Sequence, residues 1–109
     1  MEGSRNMVKN AKTNEEFDAA VASGRVLGDF WATWCGPCMM MGERIEKEIV
    51  PSMPWLDIVK VNVDEAPELA ARFGVMSIPF LACYVDGAKK ADFTGVTPAE
   101  EIAAAFAQK

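Results

Sequence analysis

The chain lacks histidine and has only three cysteines among its 109 residues. Without histidine, neither a Cys–His nor a Ser–His catalytic pair can form, and the commonest protein ligand of transition metals is missing. Three cysteines are also too few for a small secreted scaffold that is held together by disulfides. Any chemistry of this protein must therefore use Cys, Asp, Glu, Lys or Tyr.

Charge and hydropathy argue against two classes of partner. The 11 Lys and Arg residues are outnumbered by 16 Asp and Glu residues, and no basic run is dense enough to neutralise a row of phosphates. No stretch approaches the roughly 20 apolar residues of a membrane span, and the polar start of the chain lacks the apolar centre of a secretory signal. We expect a cytoplasmic protein without nucleic-acid or membrane partners, although a chain whose signal had been removed would look the same.

Length and periodicity predict the organisation of the chain. With half of its residues hydrophobic, it fits one domain over residues 7–109, after a flexible leader over residues 1–6. Strands are predicted at 7–11, 26–32, 56–63, 78–85 and 91–94, and helices at 14–22, 37–50, 67–73 and 98–106. This alternation, together with a hairpin turn at Asp86-Gly87, predicts an α/β fold with a central mixed β-sheet and helices on both of its faces.

Cys35 and Cys38 are separated by two residues at the junction between a buried strand and a helix. At this spacing the two sulfurs can form a disulfide. The free N–H groups and the dipole of the helix N-terminus stabilise a thiolate there. We expect Cys35 to be the accessible, attacking sulfur and Cys38, on the core face of the helix, to be the protected, resolving sulfur.

A metal site is the main alternative interpretation of the two cysteines. Tetrahedral zinc needs four ligands, and this chain offers only Cys83 besides the pair, with no histidine. Such a site would have to be built from two chains, so redox chemistry is favoured. Cys83, between Ala82 and Tyr84 in a predicted strand, is interpreted as a small buried hydrophobe.

Residues 29–38, which end in Trp-Cys-Gly-Pro-Cys, resemble the active-site stretch of the thioredoxin family, and the resemblance extends from about Phe17 to Phe106. It implies a three-layer α/β/α sandwich of the thioredoxin type. It also implies a protein-disulfide reductase that works by dithiol–disulfide exchange through the cysteine pair. Gly-Pro between the cysteines is similar to the reducing members of the family.

The resemblance also implies catalytic roles. Cys35 matches the attacking cysteine, Cys38 the resolving one, Asp29 the acid that exchanges a proton with the resolving thiol, and Lys60 the lysine that accompanies this acid. A carboxylate within an apolar strand should resist ionisation. A structural ion pair between Asp29 and Lys60 is a compatible alternative, because such a pair could also tune the acid.

Five further positions match the substrate-binding surface of the family: Trp34, Gly36, Pro37, Ile78 and Pro79. Pro79 corresponds to the cis-proline that faces the dithiol. The resemblance implies protein disulfides as substrates, no bound cofactor, and electrons from NADPH through a separate thioredoxin reductase. We expect a monomer.

The chain departs from the family pattern directly after the second cysteine. Helical phase places Met41 inside, Met40 on the opposite side and Met39 at the flank, and the latter two could form an adaptable docking surface. Glu43 stands where the family usually has proline, so a helix kink is either missing or comes from Gly42.

Two alternative functions remain open from the sequence. A thioredoxin fold can serve as a non-enzymatic binding module, in which case Cys35→Ser would leave the function intact. A metal or iron–sulfur carrier would instead contain metal after purification and lose it on Cys38→Ser.

Overall fold

The computed structural model of the protein describes residues 6–107. Most of the leader expected over residues 1–6 lies outside the described residues. Asn6, its last residue, is described, and its side-chain amide donates hydrogen bonds to the carbonyls of Met53, at 2.9 Å, and of Leu56.

The described residues form one five-stranded sheet and five α-helices. The strands are β1 (Val8–Asn10), β2 (Arg25–Trp31), β3 (Leu56–Asn62), β4 (Phe80–Val85) and β5 (Ala88–Thr94). The helices are α1 (Asn14–Val21), α2 (Gly36–Arg44), α3 (Val50–Ser52), α4 (Pro67–Arg72) and α5 (Ala99–Ala107). None of them is long and apolar enough to cross a membrane.

The sheet has the strand order β1-β3-β2-β4-β5. β1 and β2 both run parallel to β3, whereas β4 is antiparallel to β2 and β5 is antiparallel to β4. The last two strands are joined at Asp86 and Gly87, which have φ angles of 49° and 86°. Two successive positive φ angles are what a two-residue hairpin with right-handed strand twist requires. The predicted mixed sheet is confirmed.

Each face of the sheet has its own core. On one face, Phe17 of α1 and Leu69 of α4 pack with Phe30 of β2. On the other, Met41 of α2 and Ile102 of α5 pack with Leu27 of β2. Because successive side chains of a strand point to opposite faces, Asp29 shares the α2 face with Leu27. The three-layer α/β/α sandwich is therefore confirmed, and the acid lies in the layer that carries the cysteines.

The helix after the cysteines is longer than predicted. It does not stop at Pro51, because α2 continues through a π-helical stretch (Ile45–Ile49) into α3, which contains Pro51. Pro51 lies in the first turn of α3, directly after the π-helical stretch, and because it has no N–H it cannot donate a hydrogen bond back to that stretch. The irregular stretch begins at Ile45, so regular α-helix runs through both Gly42 and Glu43.

Two strands begin two or more residues away from the predicted start, whereas the other strand boundaries agree within one residue. β4 begins at Phe80 instead of residue 78, since Pro79 has no N–H to donate to a sheet ladder. β5 begins at Ala88, three residues earlier than expected, because the tight hairpin places Ala88 directly opposite Val85.

Candidate active site

Cys35 is the N-cap of α2. Its backbone is extended (φ −96°, ψ 108°), and its sulfur accepts a hydrogen bond from the Cys38 N–H at 3.1 Å. This is one of the N–H groups that the first helical turn leaves without a backbone partner. The two cysteines are disulfide-bonded, with their Cα atoms 5.2 Å apart, within the range that a disulfide spans. The N-terminus of α2 therefore presents a donor to the Cys35 sulfur.

The exposure of the two cysteines differs less than the sequence predicts. Cys35 is 6% exposed and Cys38 is 2% exposed. Cys35 is therefore not openly accessible in the oxidised protein. Both pack with Ala32, and Val63 and Ile78 lie against them. Cys35 remains the less buried of the two.

Ile78 and Pro79 reach the cysteines from β4. Because β4 runs antiparallel to its neighbour β2, the first residues of β4 lie beside the last residues of β2. The Ile78–Pro79 peptide bond is cis, and the Ile78 carbonyl oxygen lies 3.8 Å from the Cys35 sulfur. The structure thus brings the matched proline next to the dithiol, which the sequence alone does not reveal.

Trp34, Gly36 and Pro37 all lie at the surface beside the disulfide. The indole of Trp34 is 69% exposed, and its Nε1–H donates to the Asp64 carboxylate at 2.8 Å. A Cβ added at Gly36 would meet no atom within 4 Å, so the space above the disulfide is open there. These three matched positions therefore form an accessible rim.

Asp29 is buried in the layer that carries Cys38. It is 1% exposed, and neither carboxylate oxygen has a hydrogen-bond partner among residues 6–107. Burial raises its pKa from the ordinary 3.8 to about 6, with the positive charge of Lys60 opposing this rise. A buried acid with a pKa near neutrality can exchange protons under physiological conditions.

Lys60 lies directly across from Asp29 in the β2–β3 register. Its ammonium, however, is positioned over the ring of Trp31, 4.9 Å from the ring centroid. The ion pair between Asp29 and Lys60 that the sequence suggests is therefore not formed in the described part of the chain. Lys60 acts on Asp29 through its charge alone.

Two grooves flank the dithiol, and neither is marked by a sequence motif. One, of about 290 Å³, is lined by Trp34, Val63, Val75, Met76 and Ile78, among others. The other, of about 510 Å³, lies between α2 and the β1–β3 edge and reaches Cys38, Trp31 and Lys60.

Sequence reasoning missed two contributors to this surface. Asp64, 30 residues from Trp34, holds the indole. Met76, two residues before Ile78, is 93% exposed in the groove wall. An apolar residue two positions before the Ile-Pro pair is the only local signal for Met76, and Asp64 has none.

The methionines follow the predicted helical phase. Met39 and Met40 are 45% and 61% exposed, whereas Met41 is fully buried. Met39 lines the larger groove. The expectation that Met40 points away from the core is confirmed, and Met39, expected at the flank, is the less exposed of the two.

Cys83 is fully buried in β4, and burial raises the pKa of its thiol to about 12. Such a thiol is unreactive at neutral pH, which agrees with its interpretation as a small hydrophobe. Over residues 6–107, no three Cys, Asp or Glu side chains come close enough together to bind a metal ion.

Comparison with known proteins identifies the family. The profile of the Thioredoxin family matches residues 8–108. The chain belongs to the thioredoxin family. A thioredoxin from Staphylococcus aureus is 44% identical over 91 residues, which is 84% of this chain and 88% of the relative.

Solved thioredoxin structures agree with this assignment. Malassezia sympodialis thioredoxin (Mala s 13) is 30% identical, with a TM-score of 0.78 over 97% of this chain and 94% of that chain. Oxidised mitochondrial thioredoxin 3 from Saccharomyces cerevisiae is 28% identical, with a TM-score of 0.81 over 91% and 93% of the two chains.

With the disulfide-bonded Cys35–Cys38 pair, the family assignment defines the activity. The protein is a thiol–disulfide oxidoreductase that acts as a protein-disulfide reductase. Members of the thioredoxin family generally need no bound cofactor, since the two sulfurs themselves carry the electrons.

Proposed function

We propose that Cys35 is the attacking sulfur of this reductase and Cys38 the resolving one. The observation that carries the assignment is the hydrogen bond from the Cys38 N–H to the Cys35 sulfur. A donor aimed at this sulfur favours its negatively charged thiolate, which is the nucleophile. The assignment also agrees with the greater exposure of Cys35.

The proposed reaction proceeds in two exchanges. The Cys35 thiolate attacks one sulfur of the substrate disulfide, whose S–S bond breaks, and the other substrate sulfur leaves as a thiolate. The Cys38 thiolate then attacks the Cys35 sulfur and releases the second substrate thiolate. The substrate gains two electrons, and the protein retains the Cys35–Cys38 disulfide.

Asp29 is proposed to take the proton from Cys38 before the second exchange. Its location on the α2 face, the lack of a hydrogen-bond partner for its oxygens among residues 6–107 and its pKa of about 6 support this role. Lys60 is proposed to limit the rise of that pKa through its charge.

The surface that receives the substrate is proposed to consist of Trp34, Gly36, Pro37, Ile78 and Pro79. Their common location around the disulfide supports this.

We further propose that residues 7–109 form one domain and work as a monomer in the cytoplasm. Its disulfide would be reduced again by a thioredoxin reductase that draws electrons from NADPH.

The attack order is tested with two serine variants and an insulin disulfide as the substrate. Cys35→Ser should abolish reduction, because no nucleophile reaches the substrate. Cys38→Ser should instead accumulate a mixed disulfide between Cys35 and insulin, detectable by mass spectrometry under non-reducing conditions. Accumulation in Cys35→Ser rather than in Cys38→Ser would reverse the assignment, and retained turnover in Cys35→Ser would show that Cys35 is not the attacking sulfur. A wild-type protein that does not reduce insulin at all would favour a binding module.

A further inference from the structure

The short segment Gly95–Thr97, which follows β5, adjoins the cis-proline. Thr94 lies opposite Phe80 in the β4–β5 register, and one residue further the Gly95 N–H donates to the Pro79 carbonyl at 2.8 Å. Val96, the next residue, is 37% exposed. The segment 95–97 therefore continues the surface that Ile78 and Pro79 present beside the dithiol.

The other end of the segment is attached to the helix that carries the cysteines. The Thr97 N–H donates to the Met41 sulfur at 3.3 Å, and the Arg44 guanidinium donates to the Thr97 carbonyl at 3.2 Å. Met41 follows Cys38 by three residues, which is about one helical turn. Both polar groups of one backbone residue are thus satisfied by side chains of α2.

These two hydrogen bonds satisfy the buried backbone N–H and C=O of Thr97. Thr97 is only 4% exposed and belongs to neither a helix nor a strand. Buried backbone N–H and C=O groups need partners, and here no sheet ladder or helix supplies them. The Thr97 hydroxyl is used within the segment, where it donates to the Gly95 carbonyl at 3.0 Å.

Arg44 also contacts Glu48, but more weakly. The guanidinium Nε lies 3.8 Å from a Glu48 carboxylate oxygen, and the Glu48 side chain is 58% exposed. An exposed pair of this kind contributes little to stability. The hydrogen bond from a charged guanidinium to a carbonyl that is shielded from water is the stronger of the two contacts.

We propose that Arg44, assisted by Met41, is a positioning residue for the docking of protein disulfides. It holds the segment 95–97 at a fixed distance from α2, so that Gly95 and Val96 complete the rim around Pro79 and Cys35. This proposal rests on the proposed substrate surface around Pro79. Arg44 touches neither substrate nor sulfur, so a small disulfide, which needs little of the rim, should depend on it less than a protein does.

The test compares two rate constants of the reduced protein in single-turnover mixing. One is measured with insulin, and the other with oxidised glutathione. In Arg44→Met, which keeps an unbranched apolar stem but no donors, the ratio of the insulin to the glutathione rate constant should fall about fivefold, as expected for one hydrogen bond. Arg44→Lys, which keeps a donor, should recover most of this loss.

Two matched controls lie on the same helical stretch. Glu48→Gln removes the ion pair with Arg44 but leaves the bond to Thr97. Lys47→Met removes a cation whose partner is Glu43, at 3.1 Å, away from the segment. Both controls should retain the wild-type ratio. Met41→Leu, a swap that conserves volume, removes the sulfur acceptor and should lower the ratio in the same direction as Arg44→Met.

The proposal is overturned if Arg44→Met keeps the wild-type ratio, or if both rate constants fall by the same factor. It is also overturned if Glu48→Gln lowers the ratio as much as Arg44→Met does, or if Arg44→Lys recovers nothing. Failure of the proposed function looks different: the wild-type protein would then not reduce insulin, or Cys35→Ser would still do so.

Discussion

Replacing Asp29 with Asn tests how burial acts on the acid behind the dithiol. Because the carboxyl is 1% exposed and its oxygens lack hydrogen-bond partners in the described chain, ionising it in the folded protein is costly. Its pKa is raised from 3.8 to about 6, first by desolvation, with Lys60 acting in the opposite direction. At about 1.4 kcal/mol per pH unit, this difference corresponds to about 3 kcal/mol.

The direction of the effect follows from proton binding. Below pH 3.8 the carboxyl is protonated in both the folded and the unfolded protein, so ionisation costs nothing. Between pH 3.8 and about 6 only the folded protein keeps the proton, and the free energy of unfolding therefore falls as the pH rises. Above about pH 6 the whole penalty is present.

Asn cannot ionise, so the free energy of unfolding of Asp29→Asn should not fall for this reason as the pH rises. Its buried amide costs the same at every pH, and the informative quantity is therefore the change with pH. The stability of the variant relative to wild type should rise by about 2.5 kcal/mol between pH 4 and pH 8, because a small part of the loss has already occurred at pH 4.

The assay is urea unfolding of the oxidised protein at pH 4, 5, 6, 7 and 8, with Glu68→Gln as a control. Glu68 is an exposed carboxylate on α4, and its variant should follow the wild-type pH profile. A constant difference between Asp29→Asn and wild type over the whole range would refute the reasoning, since the carboxylate would then not be penalised by burial.

Two further outcomes are expected. Asp64→Ala removes the acceptor of the Trp34 indole N–H, which lies 2.8 Å away. Because the indole becomes more mobile, the rate constant for insulin reduction, measured by stopped-flow mixing, should fall about threefold. An increase or no change would show that the bond does not orient Trp34. The Cys83 thiol is buried, and its pKa is raised to about 12. It should therefore resist alkylation by iodoacetamide at pH 8 in the native protein and react in urea. Equal alkylation rates in both conditions, measured by mass spectrometry, would contradict its burial.

Much of this protein was predictable from local patterns. Helical and strand periodicities, the glycine after Asp86 and the position of Cys35 before a helix each depend on residues that are close together in the chain. The alternation of strands and helices leaves few ways to build a sheet, so the α/β sandwich could be predicted from it. The cysteine pair could be predicted from its spacing and its position before a helix. The phase of a single helix was enough to separate the buried Met41 from the exposed Met39 and Met40.

The tertiary structure decided what depends on distant residues. The approach of Ile78 to Cys35 across 43 residues, and the bond from Arg44 to the Thr97 carbonyl across 53, have no local signal. Strand register placed Lys60 opposite Asp29, yet side-chain packing sent its ammonium over Trp31 instead of into a hydrogen-bonded pair. The cysteine spacing thus determined which chemistry is possible, whereas burial and long-range packing, which emerge only when all elements assemble, set the surroundings in which it occurs.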